Sequence, residues 1–135
     1  MPVPELKAKL ALEATVSPSE DPAKVLQAMK NVVGEARCII ATDSRSARIV
    51  TDDAGALIRI RDQLRDRHVR SAARKQMLLS RSERLTSLML NRQAAAAGVV
   101  AVCGSPDESP LGPIYLTLES EKIDDLMDWL TAYTG

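Results

Sequence analysis

From Lys7 to Val16 the chain alternates: Ala8, Leu10, Leu12, Ala14 and Val16 are interleaved with Lys7, Lys9, Ala11, Glu13 and Thr15. A period of two sends successive side chains to opposite faces of an extended chain, so this run predicts a strand buried on one side and wet on the other. Such a strand requires partner strands at its edges and a second layer over its apolar face.

The remaining sequence offers both. Ser17 and Pro18 stop the strand, and SPSEDP sets up a helix with Asp21 as N-cap and Pro22 at the first helical position, where a missing N–H costs nothing. Glu20 is read with Asp21 as part of the cap. Val25, Met29, Val32 and Val33 give that helix an apolar side, and Gly34 ends it. RCIIAT and ARIVT flank the polar turn DSRS, which predicts a hairpin. Asp52 or Asp53 caps a second helix carrying Leu57, Ile60 and Leu64 on one side. Arg84–Leu90 reads as a strand, VVAVC as another, and IYLTLES as a third with Ile114, Leu116 and Leu118 on one face. NRQAAAAG between them is ambiguous between helix and turn. Ser120 is read as the cap of a last helix holding Ile123, Leu126, Met127 and Leu130. The order predicts one α+β domain over 1–135, with helices covering one face of a mainly antiparallel sheet.

At 135 residues the chain is long enough to bury a core without staples. No apolar run approaches the roughly 20 residues of a membrane helix, and MPVPELKAKL has no apolar leader core, so a cytoplasmic protein with no membrane contact is expected. Cys38 and Cys103 sit in apolar stretches far apart and read as two small core hydrophobes in a reducing compartment rather than a disulfide or half a metal site.

Net charge is zero, but the average conceals a segregation. Between Arg59 and Arg92 ten basic residues face three acids, a local charge of +7, and the rest of the chain carries −7. Within this segment Arg67–Arg81 has helical character, and at 100° per residue Arg67, Arg70, Arg74 and Arg81 fall within about 60° of arc. Val69, Ala72, Ala73 and Leu79 lie opposite, as the expected buried side. No acid occurs between Arg67 and Arg81, whereas a merely solvated helix face mixes both signs. The stripe therefore points to a polyanionic partner.

Catalytic groupings are thin. His68 is the only histidine, set among arginines that disfavour its protonated form. There is no GxSxG elbow, P-loop, GxGxxG or zinc spacing. Asp52–Asp53 and Asp124–Asp125 read as helix N-terminal charges. A non-enzyme with no cofactor and no metal is expected. The chain has no Phe, one Trp and two Tyr, which disfavours base-stacking platforms and leaves arginine forks and shape recognition of structured RNA. Trp129 and Tyr133 share a helix face and read as core or interface edge.

Four segments occur in an order that resembles a known family: the strand leading into SPSEDPAKV, the basic RSAARKQML, the LNRQAAAAG element and the SPLGPI turn. From about Lys7 to Trp129 the chain resembles an archaeal family described as predicted RNA-binding proteins and candidate exosome-associated subunits. The resemblance implies a fold like that of ribosomal protein L5 and an archaeal, cytosolic setting. Where the family usually reads LNKQAA this chain has Arg92, and Ala96 stands where relatives often carry a bulky side chain. The polar triplet Asn91, Arg92 and Gln93 reads either as a surface for RNA sugar and base edges or as a turn satisfying its own backbone.

The expected function is non-catalytic binding of structured RNA with low sequence specificity. Arg67, Arg70, Arg74, Lys75 and Arg81 would contact phosphates, with Asn91, Arg92 and Gln93 at the margin. The competing expectation is a protein-interaction module docking on a larger assembly, such as an RNA-processing complex, or pairing with itself as a homodimer through a strand edge.

Overall fold

The computed structural model describes residues 8–64, 67–109 and 111–132; the side chains of Arg67 and His68, and Tyr133 with its neighbours, lie outside the described residues. The predicted first strand is β1 (Ala8–Thr15), and its alternation is reproduced residue by residue: Ala8, Leu10, Leu12 and Ala14 are buried, Lys9 and Glu13 exposed. The hairpin follows as β2 (Ile39–Thr42) and β3 (Ser46–Thr51), then β4 (Leu85–Leu90) and β5 (Ile114–Ser120). They form one antiparallel sheet in the order β2-β3-β1-β5-β4, so β1 lies at its centre. Leu10 pairs with Leu118 and Leu12 with Leu116, which puts matching aliphatic side chains on the same face.

Helices cover that face: α1 (Pro22–Val33), α2 (Ala54–Gln63), α3 (Arg67–Ser80), the short α4 (Arg92–Ala96) and α5 (Ile123–Leu130). Val25, Met29, Val32, Ile60, Met77, Leu126 and Leu130 from the helices meet Leu10, Leu12, Ile49, Leu88, Leu116 and Leu118 from the strands in one core. Each such side chain stabilises the fold by about 1.5–3 kcal/mol through burial. The far face, with Lys9, Glu13, Arg48, Tyr115 and Glu119, is open. None of the described helices is long and apolar enough to cross a membrane.

The helix caps follow the sequence. Asp21 accepts from the Ala23 N–H at 3.0 Å, and Asp53, the second of the two candidates, accepts from the Gly55 N–H at 2.8 Å. Asp53 also accepts from the Arg37 N–H at 2.9 Å, and these two backbone bonds hold its carboxyl below the usual carboxylate range. Gly34 ends α1 at φ 68°, ψ −138°, a conformation that side chains resist. Trp129 is buried, as expected, under the Arg61 guanidinium 5.2 Å from its ring centre. Both cysteines are free thiols; burial, with Glu108 adding, pushes the Cys103 thiol up, which disfavours its thiolate.

Three expectations about elements are corrected. VVAVC is not a strand: only Val102 bridges to Leu90, because the Gln76 side chain occupies the next ladder position, its Oε1 accepting from the Met89 N–H and its Nε2 donating to the Cys103 carbonyl at 2.6 Å. Ser120 is not the N-cap of α5; its hydroxyl accepts from Lys122, one residue before the helix. Glu20 is not part of the α1 cap, and its actual role emerges with Arg92.

Candidate nucleic-acid interface

The helix that the charge pattern predicted is present, but its phase is rotated. Among the described residues Ala73 and Met77 are its buried ones, flanked by half-buried Val69, Gln76 and Ser80, while Ala72 and Leu79 face solvent. The polar members of the buried face have partners: the single Ser80 O–H has the Gln76 and Ser87 carbonyls as acceptors, each at 2.9 Å, its oxygen accepts from the Ser87 N–H at 3.1 Å, and Gln76 closes the edge of β4. Because their bonds are satisfied, Gln76 and Ser80 can sit where the sequence pattern expected apolar residues. Leu79, 80% exposed, and Leu78 beside it are displaced onto the outer surface.

The arginines consequently flank the buried face rather than oppose it. Arg70 is half-buried and Arg74 and Lys75 are exposed. Arg81 lies one residue beyond the helix end. Two of these reach α5, whose acids Asp124 and Asp128 are one turn apart. Arg74 Nη1 donates to Asp128 Oδ1 at 2.9 Å and to the Thr131 hydroxyl at 3.1 Å. Arg81 holds Asp124 with two bonds, Nη2 to Oδ2 at 2.9 Å. Asp124 also raises the Arg81 pKa further, chiefly through that hydrogen bond. The segregation of charge along the sequence is thus partly undone in space. These pairs remain solvent-exposed, where screening by water leaves them weak, so their arginines are oriented without being locked away.

The predicted marginal triplet divides. Asn91 is the N-cap of α4, its Oδ1 accepting from the Ala94 N–H at 2.9 Å, which is the turn reading. Gln93 is exposed. Arg92 is 6% exposed, buried rather than at an open margin, and its guanidinium is turned to partners within the protein. Its Nη1 donates to both Glu20 oxygens, at 2.7 and 2.8 Å, and to the Thr15 carbonyl at 2.7 Å. Its Nε donates to the Gly112 carbonyl at 3.1 Å. Its backbone N–H donates to the Ser109 hydroxyl, which itself donates to the Gly112 carbonyl. Glu20 is completed by the Ser17 N–H at 2.9 Å. Three of the four quoted motifs, SPSEDP, LNRQ and SPLGP, therefore meet around one guanidinium. A shallow cavity of about 370 Å³ opens beside it, lined by Glu20, Lys24, Arg92, Gln93 and Leu111. Arg92 Nη2 is sealed from solvent with no partner among the described residues.

Sequence reading missed two things here. Asp124 and Asp128 neutralise part of the stripe; their i,i+4 spacing on the outer side of an amphipathic helix was the available signal. The exposed Leu78 and Leu79 pair was hidden by the misassigned phase. Among the described residues no cluster of His, Cys, Asp and Glu could hold a metal ion.

No family model matches the chain. Among known proteins it is 35% identical over 130 residues to a UPF0201 protein of Sulfurisphaera tokodaii, covering 94% of this chain and 89% of that protein. It is 34% identical over 122 residues to a UPF0201 protein of Pyrobaculum neutrophilum, covering 86% and 83%. The fold matches the crystal structure of a UPF0201 protein from Methanococcus jannaschii with a TM-score of 0.76 at 22% identity, over 94% of this chain and 95% of that one. It also matches a DUF54 protein from Methanothermobacter thermautotrophicus with a TM-score of 0.62 at 17% identity, over 93% of each. The α+β architecture is therefore shared across these proteins, and the chain belongs to the archaeal UPF0201 family.

Proposed function

We propose that the protein is a non-catalytic, cytoplasmic RNA-binding accessory protein that contacts structured RNA through the outer side of α3. The observation that carries this reading is the surface of α3 itself. Arg74 and Lys75 are exposed, Arg81 follows directly, and the helix contains no acid along its length. Arginine forks held by exposed ion pairs can exchange a carboxylate for a phosphate at small cost, since the bidentate geometry suits both. Rigid placement on a helix suits recognition of backbone and shape rather than of base identity. Likeness to ribosomal protein L5 and a place beside an RNA-processing complex belong to the same proposal; a sheet with helices on one side is the arrangement expected for such a fold.

The α5 carboxylates give the reading a direct test. Replacing Asp124 and Asp128 with Asn removes two charges that compete with phosphate. The double variant is expected to bind a structured RNA hairpin more tightly than the native protein, with a steeper dependence on salt. Equal or weaker binding would remove α3 and its flank as the contact surface.

A second reading is favoured by Leu78 and Leu79, which lie exposed beside Lys75. An apolar pair among cations suits a protein surface with acidic rims. Under that reading a partner survives nuclease treatment and is lost when both leucines become Ser, while RNA affinity is unchanged.

A further inference from the structure

β2 is an edge strand without the usual protection. All four of its residues are exposed, Ile39 at 75% and Ile40 at 39%, and none is charged or Pro. Natural edges are normally blunted by Lys, Pro or bulges because their unpaired backbone groups invite another strand.

The direction of those groups follows from the hairpin. The Asp43 N–H donates to the Ser46 carbonyl at 3.0 Å, making 43 and 46 a hydrogen-bonded pair. Antiparallel pairs alternate, so Ala41–Arg48 and Ile39–Val50 are the next bonded pairs, and the N–H and C=O of Ile40 and Thr42 face outward. The β3–β1 ladder agrees: Val16 donates to the Arg45 carbonyl, which turns the backbone of Ala47 and Ile49 toward β1.

We propose that β2 is a self-association edge, at which two copies of this chain pair antiparallel about a two-fold axis through Ile40, continuing the sheet from one protomer to the next. The charges on the strand's flanks select that occupant and register. Centring the pairing on Ile40 sets Ile39 opposite Ala41 of the second copy and exposed Arg37 opposite its Asp43, twice by symmetry. Asp43 is held ionised, its carboxyl lowered by the N–H groups of Arg45 and Ser46. Ile40 meets its own counterpart on the helix-side face, removing both from water. A one-residue slip would separate the charges and turn the outward backbone groups away from one another. With only four residues per strand the contact belongs to the weak class, and it is independent of the RNA reading.

The test is sedimentation equilibrium of nuclease-treated protein across the micromolar range. The native chain is expected to show a monomer–dimer equilibrium, and Arg37→Glu, which sets like charges together, to weaken it at least about tenfold. Ile40→Lys should leave only monomer. A native chain that stays monomeric throughout, or variants that dimerise like the native, would overturn the proposal. Should Ile40→Lys not fold, Ile40→Cys in a Cys38→Ser background serves instead. The symmetric pair would have Cα atoms about 5.5 Å apart, within disulfide reach, so mild oxidation should give a covalent dimer. No cross-linked dimer would refute the register.

Discussion

Replacing Arg92 with Ala separates two accounts of the LNRQ motif. If the side chain met RNA from the surface, its loss would leave stability within about 0.5 kcal/mol and weaken binding. The structure requires the opposite. Arg92 is 6% exposed and its guanidinium satisfies Glu20 and the carbonyls of Thr15 and Gly112. Deletion leaves the Glu20 carboxylate, whose side chain is 12% exposed, without its counter-charge. It also strands the Thr15 carbonyl, while the Gly112 carbonyl keeps the Ser109 hydroxyl. Removing one partner of a buried ion pair destabilises by about 3–5 kcal/mol, which for a domain of this size lowers the melting temperature on the order of 10 °C. The assay is urea denaturation followed by far-UV circular dichroism, with an unchanged m-value as the sign that a common unfolded state is compared. The double variant Glu20→Gln, Arg92→Met removes both charges and should recover a substantial part of the loss. A loss below about 1 kcal/mol for Arg92→Ala, or a double variant no better than the single, would refute the buried-pair argument.

Gly34→Ala should destabilise by about 1–3 kcal/mol, because φ 68° with ψ −138° resists a side chain and the new Cβ would sit 2.6 Å from Arg59 Cδ; Arg59→Ala should relieve only the second part, measured by the same denaturation. Asp53 has a folded pKa depressed below the ordinary 3.8 by backbone N–H bonds, so its contribution is present above that value and lost as pH falls through the lower folded one; Asp53→Asn should shrink the drop in urea midpoint between pH 7 and pH 2.5. Arg74→Ala with Arg81→Ala should leave the melting temperature close to that of the native protein, since the ion pairs to Asp128 and Asp124 are exposed, and a clear drop in thermal melts would mean the seam is structural.

Where local rules governed, the sequence was readable. The alternation of Ala8–Thr15, the Asp21–Pro22 start, the Gly34 stop and the DSRS turn each depend on neighbours within a few residues, and each appears as expected. What was not readable depended on distant partners. The phase of α3 turns on Gln76 and Ser80 finding acceptors and donors on β4 and near Cys103, which no periodicity can report. VVAVC fails as a strand for the same reason. The burial of Arg92 depends on Glu20, 72 positions earlier. A single cation between Leu88–Leu90 and a run of four alanines was the clue, since an isolated charge in an apolar stretch calls for a buried counter-ion. The arginine stripe was legible as charge along the chain and the acids of α5 by their spacing, but that the two meet is set by the folded arrangement.

The proposed RNA contact is tested most directly by titrating a structured RNA hairpin with the native protein and with Arg74→Ala, Lys75→Ala, Arg81→Ala at several salt concentrations. Each phosphate contact contributes a slope of roughly 0.7–0.9 in log affinity against log salt. The native chain is expected to bind with strong salt sensitivity and the folded triple variant more weakly, with a slope shallower by about two units. No binding by the native protein at low salt, or a triple variant with the native affinity and slope, would contradict it.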